Sequence, residues 1–406
     1  MWSIKFIVVF VLFVSSSALP HTNILKNNPV LTSDEDAYLT VPELITKYGY
    51  PVEEHHVTTS DGYILTLHRI PHGKNSDTVS DRVVFLQHGL LCSSADWIIT
   101  GPTHGLGYLL ADEGYDVWMG NGRGNHQSRN HTSLDPDKDS AFWQFSWHEI
   151  GAIDVPTMID HVLEVTGQTS LYHIGHSQGT TTFYVMTSMH PEYNAKVKAH
   201  FSLAPVAFMN HMTSPLMHIL AFWSGPIDLL AQLIGINEFL PNNEFMAMVG
   251  DVLCADDDIT QFLCTNALFA ICGFSPNEMN ATILPVLTGH TPAGASVNQL
   301  MHYAQEINSG TFRQFDFGLE NLDKYGSLTP PPYDLDLITT PIYLLYSHND
   351  WMAGEVDVVK LYEKLGDTCE GKFLIADGAF NHLDYLYGIQ APELVYNKVI
   401  SLMARH

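Results

Sequence analysis

Residues 172–184 read YHIGHSQGTTTFY, a serine held between Gly175 and Gly179. An apolar run precedes it and a helix-like stretch of small and aromatic residues follows. In a G-x-S-x-G sequence the serine occupies a sharp turn from strand to helix, which presents its hydroxyl outward. Glycines are needed on both sides because backbone segments approach closely there. The pattern alone also describes a serine in an ordinary tight turn. The flanking strand and helix patterns favour a nucleophile at Ser177.

Working outward, the chain shows further short apolar runs that end in polar residues or glycine. These are VVFLQHG (83–89), YDVWMGN (115–121), AHFSLAP (199–205) and PIYLLYSHND (341–350), with SLYHIGHS (170–177) among them. Each reads as a buried strand ending in a loop. Helical spacing lies between them, as in VPTMIDHVLEV (155–165), where Asp154 is expected as the cap and Pro156 falls in the first turn. This alternation predicts an α/β protein with a mostly parallel, doubly wound sheet. Two alternating runs from Glu54 to Ile70, joined by Ser60-Asp61-Gly62, predict an opening antiparallel hairpin. Between about Val206 and Asp334 the alternation stops, and Met, Phe, Leu and Trp with breaks at Pro215, Pro226, Pro241 and Pro285 predict a helical insertion. A strand near 372–378 and a last helix from Pro392 complete the expected core.

A serine hydroxyl is a weak nucleophile until a base takes its proton and an acid orients that base. In this architecture the chain order is serine, acid, histidine. Asp350, at the end of the 341–350 run, is the leading acid, with Asp357 and Asp377 weaker alternatives. His382, in the loop GAFNHLDY after the last strand, is the leading base. His348 stands too near Asp350 in sequence to serve. A tetrahedral intermediate also needs two amide donors. The backbone N–H of Gln178 follows the nucleophile, and QHGLLCSS (87–94) turns out of a buried strand so that the N–H of Leu90 is the second choice. The glycines of GNGRGN (120–125) are not a dinucleotide loop, since the third comes one residue early and no helix pattern follows. They read as a loop shaping the mouth of the site. Asp256-Asp257-Asp258 lacks the alternating ligand spacing of a calcium loop.

The 406 residues are 46% hydrophobic, enough to bury a large core, and carry 44 acidic against 18 basic side chains for a formal charge of −26. Such a chain is a poor nucleic-acid partner, and its acidity fits an acidic working compartment. The opening MWSIKFIVVFVLFVSSSALP has the layout of a secretory leader ending near Ala18. Its apolar run is too short to cross a bilayer, which takes roughly 20 residues. Two sequons, at Asn130 and Asn280, then become glycosylation candidates. Five cysteines, Cys92, Cys254, Cys264, Cys272 and Cys369, are too few for a disulfide scaffold and odd in number, with Cys254 and Cys264 the nearest pair. Neither a C-x-x-C nor an H-E-x-x-H spacing is present, so no metal or other cofactor is expected.

With these residues in hand, the chain resembles the acid lipases of the α/β-hydrolase superfamily, a family that includes gastric and lysosomal lipases. The resemblance is carried by PELITKYGYPVEEHHVTTSDGYILTLHRIP (42–71), LQHGLLCSSADWI (86–98), GNGRGNHQSRNH (120–131), GHSQGTTTFY (175–184), CTNALFAICGF (264–274), NDWMAGEVDV (349–358) and NHLDY (381–385). It implies an α/β-hydrolase fold with Ser177, Asp350 and His382 as nucleophile, acid and base, and the amides of Leu90 and Gln178 as oxyanion donors. It also implies a cap disulfide between Cys254 and Cys264 that leaves Cys272 free. The expected organisation is a leader at 1–18, an N-terminal segment at 19–40, core at 41–206, a cap with a movable lid at 207–334 and core again at 335–406. Ser347-His348 and Cys92 depart from the small residues usual in relatives, which bears on substrate preference and removes no catalytic group. The expectation is a secreted or lysosomal serine lipase that hydrolyses triacylglycerols or sterol esters at a lipid–water interface. A soluble esterase of small esters, or a lipid-binding protein without chemistry, are the alternatives. Nothing in the sequence fixes the oligomeric state.

Overall fold

A computed structural model describes residues 34–215, 217–222, 224, 237–240, 269 and 271–406. The leader, Cys254, Cys264, Asp256-Asp257-Asp258 and most of the expected lid lie outside these residues.

Eight strands form one sheet: β1 (Glu53–Thr58), β2 (Ile64–Ile70), β3 (Val83–Gln87), β4 (Asp116–Gly120), β5 (Leu171–His176), β6 (Val197–Leu203), β7 (Ile342–Tyr346) and β8 (Cys369–Leu374). Their order across the sheet is β1-β2-β4-β3-β5-β6-β7-β8. The first pair is the expected hairpin, with Glu53 opposite Arg69 and Thr58 opposite Ile64, and its turn is eased by Gly62 at a φ of 99°. β2 also runs antiparallel to β4, whereas β3 to β8 are parallel to one another. Every residue of β3, β4, β5 and β7 is buried. Burial on both faces is why these strands read as continuous apolar runs rather than alternating ones.

The helices follow from capping and spacing. Helix α1 (Val41–Lys47) opens with a capping box in which Thr40 and Glu43 bond reciprocally, and it buries Val41, Leu44 and Ile45. Helix α2 (Leu106–Asp112) links β3 to β4. Helix α3 (Val155–Thr166) buries Met158, Ile159, Val162 and Leu163 at helical spacing and stops at Gly167, whose left-handed φ of 67° ends the ladder. Burial of each such side chain contributes about 1.5–3 kcal/mol. Asp154 is not the cap of this helix. It is itself helical, in a π turn over Ile150–Asp154, and its buried carboxylate binds Arg123 through the backbone N–H at 2.9 Å, Nε at 2.8 Å and a terminal nitrogen at 2.6 Å. An aspartate before a proline-led helix imitates a cap, but a buried guanidinium is the stronger partner.

Helix α4 (Gln178–Met189) begins directly after β5 and is buried along most of its length. The connection from β6 to β7 spans residues 204–341 and includes helix α5 (Leu284–His290), helix α6 (Val297–Ser309) and a two-residue ribbon pairing Glu238–Phe239 with Ala295–Ser296. Helix α7 (Glu355–Leu365) joins β7 to β8, and helix α8 (Asn397–Met403) closes the chain after a π turn at Pro392–Tyr396. Among the described residues no helix is long and apolar enough to cross a membrane.

Candidate active site

The site is built at the carboxyl ends of β3, β5, β7 and β8. β5 ends at His176, and Ser177 turns the chain into α4 with a φ of 52° and ψ of −118°. That conformation is strained for a residue with a side chain and persists only when its surroundings over-determine it. They do. The Ser177 N–H donates to the Leu203 carbonyl at 3.0 Å. A Cβ on Gly175 would come within 2.6 Å of the Gly179 carbonyl, and one on Gly179 within 2.1 Å of the Gln87 carbonyl. Both glycines of G-x-S-x-G are therefore demanded by backbone contact, and Ser177 is squeezed between strand and helix.

His382 lies in the loop after β8, with Nε2 at 2.8 Å from Ser177 Oγ. Its Nδ1 lies 2.9 and 2.8 Å from the two carboxylate oxygens of Asp350. With Nδ1–H donating to the carboxylate, Nε2 is left with a lone pair aimed at the serine hydroxyl. Asp350 is buried, and its Oδ1 also accepts the N–H groups of Met352 at 2.9 Å and Ala353 at 2.7 Å. These donors fix the orientation of the carboxylate.

The weaker acids are elsewhere. Asp357 accepts the His211 N–H at 2.7 Å and faces His211 Nδ1 at 2.9 Å, while Asp377 accepts the N–H of Ala379 at 2.8 Å. His348 is half exposed and pairs with Glu355. Asn130 is exposed, and Asn280 caps a short turn by accepting the Thr282 N–H at 3.1 Å. Cys92, Cys272 and Cys369 are buried free thiols.

The loop after β3 passes beside Ser177, where a Cβ on Gly89 would lie 3.2 Å from Ser177 Cβ. Leu91 holds a positive φ of 62°, and the Cys92 N–H closes the turn on the Gly89 carbonyl at 3.3 Å. Among the described residues neither the Leu90 nor the Gln178 N–H has a hydrogen-bond partner. His88 supports this loop from below: its Nδ1–H donates to the Gly89 carbonyl at 2.8 Å and its Nε2 accepts the Gly122 N–H at 3.1 Å. Burial keeps that ring neutral by pushing its pKa down. GNGRGN is thus less a rim than a buried foundation, since Arg123 is sealed between Asp154 and Asp61 and covers the Tyr63 ring at 3.9 Å.

Sequence reasoning missed three supports. His176, beside Ser177, donates from Nε2 to the His382 carbonyl at 2.9 Å, and burial pushes its pKa down to about 3, so it stays neutral. The Cys272 carbonyl accepts the N–H groups of both Trp351 at 3.3 Å and His382 at 3.4 Å. Asn349 Nδ2 donates to the carbonyls of Phe274 at 2.9 Å and Ala379 at 2.6 Å, and Asn381 Nδ2 to that of Gly273 at 2.9 Å. The resemblance had marked Cys272 only as a spare thiol. The asparagines flanking Asp350 and His382 were the available signal, because asparagine side chains commonly hydrogen-bond to backbone groups of nearby loops.

Comparison with known proteins agrees with this geometry. A family described as a partial α/β-hydrolase lipase region matches residues 41–101, and the α/β-hydrolase fold matches residues 82–225. Lipase 1 of Drosophila melanogaster is 43% identical over 375 residues, covering 91% of this chain and 81% of its own length. The chain belongs to the lipase family of α/β-hydrolases. Gastric triacylglycerol lipase of Rattus norvegicus is 40% identical, covering 91% of this chain and 92% of its own. That of Bos taurus is also 40% identical and covers 100% of this chain and 99% of its own. A solved structure from Sulfolobus solfataricus aligns with a TM-score of 0.54 at 15% identity over 87% of this chain and 93% of its own, a likeness of fold alone. As a member of this family the protein is a lipase, a carboxylic ester hydrolase.

Proposed function

We propose that this lipase cleaves lipid esters through an acyl enzyme on Ser177. The observation that carries the reading is the continuous hydrogen-bonded chain from Ser177 Oγ through His382 to Asp350. His382 Nε2 takes the hydroxyl proton as Oγ attacks the ester carbonyl, and Asp350 stabilises the imidazolium that forms. The amides of Leu90 and Gln178 receive the developing oxyanion. His382 then returns the proton to the leaving alcohol. Water, activated by the same ring, attacks the acyl carbonyl and releases the fatty acid.

The gastric triacylglycerol lipases among the relatives support triacylglycerols as substrates, and the family resemblance adds sterol esters as the second proposed class. Residues 207–334 of the β6–β7 connection are the proposed cap. Its described part exposes apolar side chains, with Phe222 at 78% and Ile219 at 42% of full exposure, as a surface meeting lipid requires. The leader-like first 18 residues support passage through the secretory pathway to an extracellular fluid or the lysosome, with Asn130 and Asn280 as glycan acceptors and Cys254–Cys264 as the cap disulfide.

The test is Ser177→Ala assayed beside wild type on short- and long-chain glycerides and sterol esters. The expected result is a folded protein whose kcat has fallen by on the order of 10⁵ or more. Retained ester hydrolysis would remove Ser177 from its role. A rate that fails to rise when the ester passes from monomers to droplets would favour a soluble esterase.

A further inference from the structure

The two proposed oxyanion donors come from different parts of the chain, the loop after β3 and the first residue of α4. One segment touches both. The Ala293 N–H donates to the Leu91 carbonyl at 2.7 Å, one peptide beyond Leu90. Six residues on, Gln299 Oε1 accepts from Gln178 Nε2 at 2.7 Å. Both glutamine side chains are buried, at 2% and 3% exposure, and Gln178 Oε1 has no partner among the described residues. Gln299 is therefore the one side-chain anchor of Gln178 that the structure records.

The same segment is itself held. The Ala293 carbonyl accepts the His126 N–H at 2.8 Å, and Thr291 Oγ1 donates to Asp96 Oδ1 at 2.7 Å. Asp96 in turn accepts the Ser93 N–H at 2.6 Å, which closes the helical turn following the Leu90 loop. Ala295–Ser296 pairs with Glu238–Phe239, and Ser296 Oγ donates to the Phe145 carbonyl at 2.6 Å. Gln299 then leaves this braced stretch near the start of α6.

Geometry of this kind has a kinetic meaning. An oxyanion donor is useful only if its N–H points where negative charge develops, and reorienting it during the reaction forfeits most of its effect. The Gln178 N–H belongs to the peptide that follows strained Ser177, and the Leu90 N–H to a loop containing left-handed Leu91. Neither conformation is the resting choice of an isolated backbone. We propose that Gln299 is a positioning residue for this hydrolysis, and that the segment 291–299 of the β6–β7 connection holds both oxyanion amides in register. The inference rests on the assignment of Leu90 and Gln178 under the proposed function. It also links the proposed cap to the rate of the chemical step, since α6 and the Glu238–Phe239 ribbon belong to the same connection.

The experiment compares wild type with Gln299→Leu, Gln299→Glu, Gln178→Leu and the double variant Gln178→Leu/Gln299→Leu on a soluble short-chain ester. A serine-reactive phosphonate titrates competent sites, so kcat is expressed per active molecule. Gln299→Leu is expected to lower kcat about 10-fold, less than outright removal of a donor, with KM within about two-fold of wild type. Phosphonylation should slow in step. Gln299→Glu keeps an oxygen that accepts from Gln178 and should restore most of the rate. Gln178→Leu severs the contact from its other side, and the double variant should lose no more than either single change. Unchanged kcat per titrated site in the two leucine single variants would overturn the proposal, as would losses that multiply in the double variant. Failure of the underlying reading looks different: Ser177→Ala would remain active, or the phosphonate would label no serine.

Discussion

Ser177 sits where two rigid elements meet, whereas Asp350 and His382 ride on loops stitched to the β6–β7 connection. The serine is clamped by backbone packing of β3, β5 and α4, and its neighbours leave no room for a Cβ on Gly175 or Gly179. Asp350 and His382 are held instead by carbonyls of Cys272, Gly273 and Phe274 and by the two asparagines beside them. The beginning of the connection reaches the same place, because the Trp351 carbonyl accepts the N–H groups of Thr213 at 2.9 Å and Ser214 at 3.0 Å. Trp351, the residue after Asp350, is thus clasped by two separate stretches of the connection. The difference teaches that Ser177 belongs to the stability of the fold, while Asp350 and His382 belong to the seating of the connection.

The strongest way to break this contrast is Gly179→Ala. Its Cβ would meet the Gln87 carbonyl oxygen at 2.1 Å and carbon at 2.8 Å, both fixed in the central sheet. The expected outcome is a loss of roughly 4 kcal/mol or more, read as a collapsed yield of soluble protein and an early urea midpoint. A well-folded Gly179→Ala enzyme would show that the elbow is not packed as described.

Gly273→Ala asks the same question of the other seat. Gly273 has a φ of 115°, and a Cβ there would approach the Asn349 carbonyl oxygen to 2.1 Å. That carbonyl directly precedes Asp350, so the strain should displace the acid and, through it, His382. Displacement of about 1 Å costs roughly 100-fold in rate. The urea midpoint should move far less than in Gly179→Ala, because the affected backbone lies in loops outside the sheet. Equal losses of folding in the two variants would erase the distinction between the seats.

This contrast also explains what could be read in advance. Strands β3, β4, β5 and β7 were legible because burial on both faces leaves an uninterrupted apolar signature. Ser177 and Asp350 each follow one of them, whereas His382 follows the largely unburied β8 and was legible from chain order and its place after the last strand. The supports were not. Cys272 acts through its carbonyl and Ala293 through its N–H, groups every residue carries, so no side-chain pattern marks them. Asp154 was misread as a cap because its partner, Arg123, lies 31 positions upstream. The tie between Gln178 and Gln299 spans 121 positions, and Gln178 drew notice for its backbone amide alone.

The smallest expected effect tests how the loop side responds to pH. Asp384 accepts the Asn381 N–H at 2.6 Å, and burial pushes its pKa from 3.8 up to about 7. A carboxyl whose pKa is raised on folding stabilises the folded state fully below its unfolded value, and that contribution fades as pH rises through the folded value. Wild type should therefore lose stability relative to Asp384→Asn between pH 5 and 7, by about 2 kcal/mol. Buried histidines act in the opposite sense: His126 and His68 are pushed down to about 4 and His176 to about 3, so their contribution is lost as pH falls. Both proteins share those rings, so they cancel in the difference, and only the carboxyl remains. Urea midpoints for the pair at pH 5, 6 and 7 measure it directly. A constant gap across that window would mean that Asp384 is ionised throughout. A gap that changes by the expected amount makes the seat of His382 one that an acidic medium tightens.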